Sequence, residues 1–145
     1  MMAIIRLVEE NEASGVVREV YQDIKSTLGI DFVPNMYRAM ANDPDYLVSS
    51  WNKIQAVMAG AGELDSLTKD IIALTVSVMS GCDYCIGVYM SAVRHGGLND
   101  QAILELLAVV DTYRGLNQLN IGLQLEPDDR PWYGCAGEVP AMSGT

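Results

Sequence analysis

Apolar residues recur at intervals of three and four along most of the chain, and glycine, proline and capping residues cut that pattern into helices. From Ala13 to Leu28, Val16, Val17, Val20, Ile24 and Leu28 keep helical spacing, with Gly29 as a stop. Pro34 suits the first turn of a short helix through Met40, which ends near Asn42-Asp43-Pro44, because a proline there forfeits no helical N–H bond. The next helix starts at Asp43 with Pro44 just inside it and carries Leu47, Trp51, Ile54, Val57 and Met58 before Gly60 and Gly62. Asp65 or Ser66 caps a helix running to about Met79. Its apolar residues (Leu67, Ile71, Ile72, Leu74, Val76, Val78) lie almost all round, which predicts a central, buried position. The Ile/Val run is also strand-like, but its length and its Ala and Met residues favour a helix. Gly81 ends it, and Asp83 helps to start a helix through Tyr89 and Val93 that stops at Gly96-Gly97. Asn99 caps one more, with Ile103, Leu106, Leu107, Val110, Tyr113 and Leu116 on one face, continuing toward Leu119.

The pattern predicts an all-α domain of about six helices over residues 1–129 and an irregular tail over 130–145, in which Trp132 and Tyr133 suggest some packing. At 145 residues the chain is long enough to bury a real core. More apolar helix surface is present than one small helical layer covers, so a homo-oligomer is expected. The net charge of −10, with only 9 Lys and Arg, argues against nucleic acid or an anionic membrane as partner, since both need a basic footprint. The longest apolar run falls far short of the roughly 20 residues that span a bilayer. The start of the chain does not read as a signal peptide, and three cysteines do not make a secreted disulfide framework. A reducing cytoplasm is the expected location.

Chemistry concentrates at Gly81-Cys82-Asp83-Tyr84-Cys85. Two cysteines at i and i+3 in a first helical turn share a face and lie close enough to bridge. Thiolate is the reactive form, and a free cysteine with a pKa of about 8.5 holds little of it at neutral pH. The unpaired N–H groups and positive dipole end of a helix favour the thiolate. Such a pair can attack a peroxide or disulfide with one sulfur and resolve with the other. The alternatives are two buried structural thiols or half a zinc site. Zinc would need two further ligands, and His95 and Cys135 do not fall at familiar ligand spacing, so neither metal nor cofactor is expected.

Here the chain resembles the alkylhydroperoxidase D-like and carboxymuconolactone decarboxylase-like proteins. The likeness begins near Val33-Pro34-Asn35-Met36-Tyr37-Arg38-Ala39, is densest from Leu64-Asp65 to Gly97, and includes Asp111-Thr112-Tyr113 and Asn117-Gln118-Leu119-Asn120, which look like the peroxidase-related branch. It implies an all-helical fold and a homo-trimer or homo-hexamer. It also implies a relay from an acid through a histidine to the thiols, with Cys85 attacking peroxide and Cys82 as proton donor and resolving partner. A dedicated reductant protein would regenerate the dithiol. The chain departs from that pattern at the relay: Asp70 stands where the family has Glu, Tyr89 where it has His, and Tyr84 where His is frequent. An imidazole titrating near about 6.5 accepts a thiol proton, whereas a phenol near about 10 does not at neutral pH. Slow turnover is expected.

Asp70 interrupts an apolar helix, either at a solvent-facing gap or in an active pocket with Tyr89. Tyr84 and Tyr89 are core or interface aromatics, or donors lining a pocket. His95 suits a helix C-terminus, Cys135 reads as an incidental thiol, and the eight methionines as adaptable packing. Glu9, Glu10 and Glu12, like the acids of Glu126–Asp129, read as solvated charge. Two rival functions remain. One is a decarboxylase of the same fold, with Arg94, Arg114 or Lys69 holding a carboxylate. The other is a non-catalytic small-molecule-binding oligomer.

Overall fold

The computed structural model describes residues 3–129; the expected tail, with Trp132, Tyr133 and Cys135, lies outside the described residues. Among the described residues all regular structure is helical: α1 (Gly15–Leu28), α2 (Asn35–Met40), α3 (Pro44–Ile54), α4 (Ser66–Ser80), α5 (Asp83–His95) and α6 (Asp100–Leu123). The chain divides at Gly96-Gly97 into two compact units, with α1 to α5 in the first and α6 in the second.

Local chemistry accounts for the boundaries. Asp43 accepts from the Tyr46 N–H at 3.1 Å with Pro44 at the first helical position, Asp65 from Thr68 at 2.8 Å, and Asn99 from Ala102 at 2.9 Å. Each carboxylate or amide oxygen satisfies a first-turn donor that has no partner inside the helix. Gly29 and Gly81 take left-handed conformations (φ 65° and 67°) and return their N–H groups to carbonyls of the last turn. One predicted helix is shorter than its pattern. α3 ends at Ile54, and Gln55–Ala59 form a π-helical turn that displaces Val57 and Met58 from the α3 register.

The core lies among α1, α2, α3 and the segments joining them: Ala13, Val17, Tyr21, Ile24, Val33, Tyr37, Ala41, Leu47 and Trp51. Trp51 is its hub. Its ring meets Tyr37 edge to face, with centroids 5.4 Å apart, and its indole N–H donates to Asp23 at 2.6 Å. Burying an aromatic of this size supplies much of the drive to fold, and the Asp23 bond removes the cost of its one polar atom.

Two expectations are corrected. The acids Glu9, Glu10 and Glu12 are not simply solvated; Glu9 and Glu10 strap the N-terminal segment to the core, and Glu12 pairs within that segment. Glu10 pairs with Lys25 at 2.7 Å and accepts from the Val33 N–H at 2.9 Å, while Glu9 pairs with Arg38 and Glu12 with Arg6. The Tyr21 hydroxyl donates to the Val8 carbonyl at 3.0 Å on the same strap. Nor is α4 buried all round within one chain. It buries Leu74 and Ser77, but Ile72, Val76 and Met79 are about half exposed or more (49%, 59% and 49%). Periodicity reports which faces are apolar, not which of them one chain covers.

α4 and α5 pack as a helical hairpin across the two-residue connection Gly81-Cys82. In the second unit α6 runs well past the predicted Leu119 to Leu123.

Candidate active site

Cys82 is the N-cap of α5, and its sulfur accepts from the Cys85 backbone N–H at 3.3 Å. Gly81 makes this possible, because its left-handed turn brings the chain out of α4 and straight into α5. Asp83, expected to help start the helix, is its first residue. Both thiols are free, and they share a hydrogen bond with the sulfurs 2.7 Å apart. A disulfide bond is about 2.04 Å long, so closing this pair needs only a small movement.

The two sulfurs differ electrostatically. Cys82 is shifted below the usual thiol range, first by the Cys85 S–H bond and next by the Cys85 N–H, both of which favour its thiolate. Cys85 is shifted upward, by donating that bond, by burial and by the negative charge on Cys82. Of the two sulfurs, Cys82 is thus the one that loses its proton more readily.

Access divides them the other way. A cavity of about 310 Å³ in the first unit is lined by Cys85 and not by Cys82. Its walls come from the end of α1 (Leu28), the α2 entry (Pro34, Met36, Tyr37), Ile54 and Met58 around the π-helical turn, Asp70 of α4, and Tyr84, Val88, Tyr89 and Ala92 of α5. It has the size and apolar character of a small-molecule site, with few polar groups converging on it.

Of the residues singled out from sequence, Cys85, Asp70, Tyr89 and Tyr84 share this cavity, and Cys82 sits directly behind Cys85. Burial holds the Asp70 carboxyl above its ordinary range. Burial, then the neighbouring charges of Asp70 and Cys85, push the Tyr89 phenol up. Among the described residues no hydrogen bond joins Tyr89 or Asp70 to either sulfur. The Tyr84 hydroxyl accepts from the Met36 N–H at 3.4 Å, tying α5 to α2. Leu28, Met36, Tyr37 and Met58 were not singled out as site residues. The only signal for them was the Val33–Ala39 motif, which contains Met36 and Tyr37 without assigning them a role.

The cations expected of a carboxylate site do not reach the cavity. Within the first unit, Lys69 donates to the Gly60 carbonyl at 3.0 Å and Arg94 is an exposed residue of the last turn of α5. His95 is the last residue of α5 and does not line the cavity either. Among the described residues no three His, Cys, Asp or Glu side chains gather as a metal-binding group.

Comparison with known proteins places this geometry. Residues 47–125 match the carboxymuconolactone decarboxylase family. An (R)-2-haloacid dehalogenase of Pseudomonas putida is 27% identical over 74% of this chain and 36% of its own length. An alkyl hydroperoxide reductase AhpD of Solibacter usitatus is 25% identical over 63% of this chain and 51% of its own length. The chain thus spans about half the length, or less, of these curated relatives. The crystal structure of the alkylhydroperoxidase AhpD core from Rhodospirillum rubrum superposes with a TM-score of 0.84 at 36% identity, covering 89% of this chain and 96% of that one. The protein is a member of the carboxymuconolactone decarboxylase family with the AhpD-like helical fold.

Proposed function

We propose that this chain is a thiol-dependent oxidoreductase that reduces a small hydroperoxide, or exchanges disulfides, through Cys85 and Cys82. One observation carries the reading: two thiols at the start of a helix with sulfurs 2.7 Å apart, one accepting a first-turn N–H and the other facing an apolar cavity. Cys82 supplies what the missing histidine would have supplied. Its thiolate accepts the Cys85 proton, and the Cys85 thiolate so formed is the more nucleophilic of the two because its pKa is the higher. Cys85 attacks the distal peroxide oxygen, the O–O bond breaks, and Cys85 becomes a sulfenic acid as an alkoxide leaves and takes up a proton to become the alcohol. Cys82 then attacks the Cys85 sulfur, water departs, and a disulfide remains. An external dithiol, on a protein or a small molecule, returns two electrons and two protons.

The likeness to the AhpD proteins supports this reading. The decarboxylase alternative is less favoured, because among the described residues no Lys or Arg lines the cavity to hold an acidic substrate. Exposed apolar residues on α4 support assembly into a homo-trimer or homo-hexamer. A working dithiol suits a reducing cytoplasm, and among the described residues no helix is long and apolar enough to cross a membrane.

The test uses the full chain with Cys135→Ser, leaving only the pair. A modest excess of cumene hydroperoxide should consume two thiols per chain much faster than it consumes free cysteine, giving a Cys82–Cys85 disulfide by mass. Cys85→Ser should abolish the fast phase, and Cys82→Ser should leave Cys85 to stall as a sulfenic acid. Loss no faster than for free cysteine would overturn the reading in favour of a non-catalytic binding protein.

A further inference from the structure

Of the polar side chains that line the cavity beside the thiol, Tyr37 is the most deeply buried. Tyr37 comes from α2, whereas Cys85 comes from α5, and both line the same cavity. Its residue is 95% buried (5% exposed), and its ring is held edge-on by Trp51. Its hydroxyl forms no hydrogen bond to any described residue, which leaves its hydrogen-bonding capacity to a molecule in the cavity. The other two cavity tyrosines are committed differently. The Tyr84 hydroxyl is engaged by the Met36 N–H and its ring is 44% exposed, while Tyr89 stands beside the Asp70 carboxyl, whose charge opposes loss of its proton.

We infer that Tyr37 is the acid that protonates the alkoxide leaving group when Cys85 attacks a hydroperoxide in the cavity. The assignment rests on the thiol-peroxidase reading above and adds a catalytic residue to it. The attack of sulfur on the distal oxygen forms an S–O bond, breaks the O–O bond and releases RO⁻. The Tyr37 hydroxyl gives RO⁻ its proton, so that ROH departs and a phenolate remains, which regains a proton from water. Over the full cycle a dithiol monoanion, ROOH and one proton become a disulfide, ROH and water. The direction of transfer is favourable. Burial, with the nearby Tyr89 and Tyr84, pushes Tyr37 up to about 12. The conjugate acid of an alkoxide is about as weak as water, so tyrosine remains the stronger acid. At neutral pH it also holds its proton until the O–O bond opens.

Tyr37→Phe tests this, because it deletes the hydroxyl and keeps the ring against Trp51. In the Cys135→Ser background, three reagents are compared at the same thiol pair. Cumene hydroperoxide expels an alkoxide that needs a proton. Peracetic acid expels a carboxylate, with a conjugate acid near about 4, that needs none. Iodoacetamide expels iodide and reports thiolate alone. The variant should lose roughly tenfold or more in rate with cumene hydroperoxide, the lower range of general acid catalysis, and stay within about twofold with the other two. Equal losses with all three would show that Tyr37 only shapes the cavity and would overturn the assignment. An undiminished cumene hydroperoxide rate, beside a fast parent protein, would overturn it and leave the thiol-peroxidase reading intact. A parent protein no faster than free cysteine would remove both.

Discussion

The first unit contains two regions built from the same kind of helix and put to different uses. Around α1 to α3, apolar faces close on one another: Leu47 and Ile24 are fully buried, Trp51 is sealed by Tyr37 and Asp23, and ion pairs strap the N-terminal segment across the outside. In the α4–α5 hairpin the faces stay open. Only Leu74, Ser77 and Val93 are buried there, and large apolar residues such as Val76 and Val88 stand more than half exposed. The closed region carries stability, and the open one carries the reactive groups. A cavity between them needs both, because a thiol made accessible for chemistry has to be mounted on something that does not move.

The sharpest way to break that division is Leu47→Ala. It should destabilise the protein by about 3 kcal/mol in denaturant unfolding, as buried leucines do, while leaving the iodoacetamide rate of the folded protein nearly unchanged. A large change in that rate would mean that the two regions are not separable. Tyr89→His works in the opposite direction. Restoring an imidazole one turn after Cys85 should raise peroxide-driven thiol loss several-fold at neutral pH, with little change in stability. No gain would show that Cys82 already serves fully as the proton acceptor. A smaller effect is expected from Cys85→Ala. Removing the S–H donor should move the alkylation pH profile of Cys82 upward toward that of an ordinary thiol, since the Cys85 bond is the largest cause of its lowered pKa. The smallest concerns the strap. Glu10 is held below its ordinary value by Lys25 and then by the Val33 N–H, so its contribution is present above the unfolded carboxylate pKa and fades as pH falls through the folded one. Glu10→Gln should therefore cost under about 1 kcal/mol at pH 7, because the pair is part-exposed and screened, and the difference should vanish in acid.

These regions were unequally legible in the sequence. Helix ends were readable because caps and left-handed glycines act within a few residues: Asp43, Asp65, Asn99, Gly29 and Gly81 all stand where they were expected. The Cys82–Cys85 adjacency was readable for the same reason, being fixed by one helical turn. What escaped was long-range. Glu10 meets Lys25 and Val33 from 15 and 23 residues away, and nothing in the local pattern marks that pairing. Tyr37 reaches the cavity because α2 packs there, not because of its neighbours in sequence. Val57 and Met58 continued a helical period, yet the π-helical turn re-aimed them and left Met58 in the cavity wall.

The cap formed by Cys82 has a consequence for the energy of the redox couple. In the dithiol, its sulfur accepts from the Cys85 N–H and loses its proton more readily than an ordinary thiol; in the disulfide the same atom cannot ionise and is a poorer acceptor. The start of α5 thus favours the reduced state over the oxidised one. A couple whose reduced form is stabilised has a higher potential, as in oxidising members of other dithiol families. The pair is accordingly easy to recharge by a mild reductant, and the first turn of α5 should exchange its amide hydrogens faster once the bridge has formed.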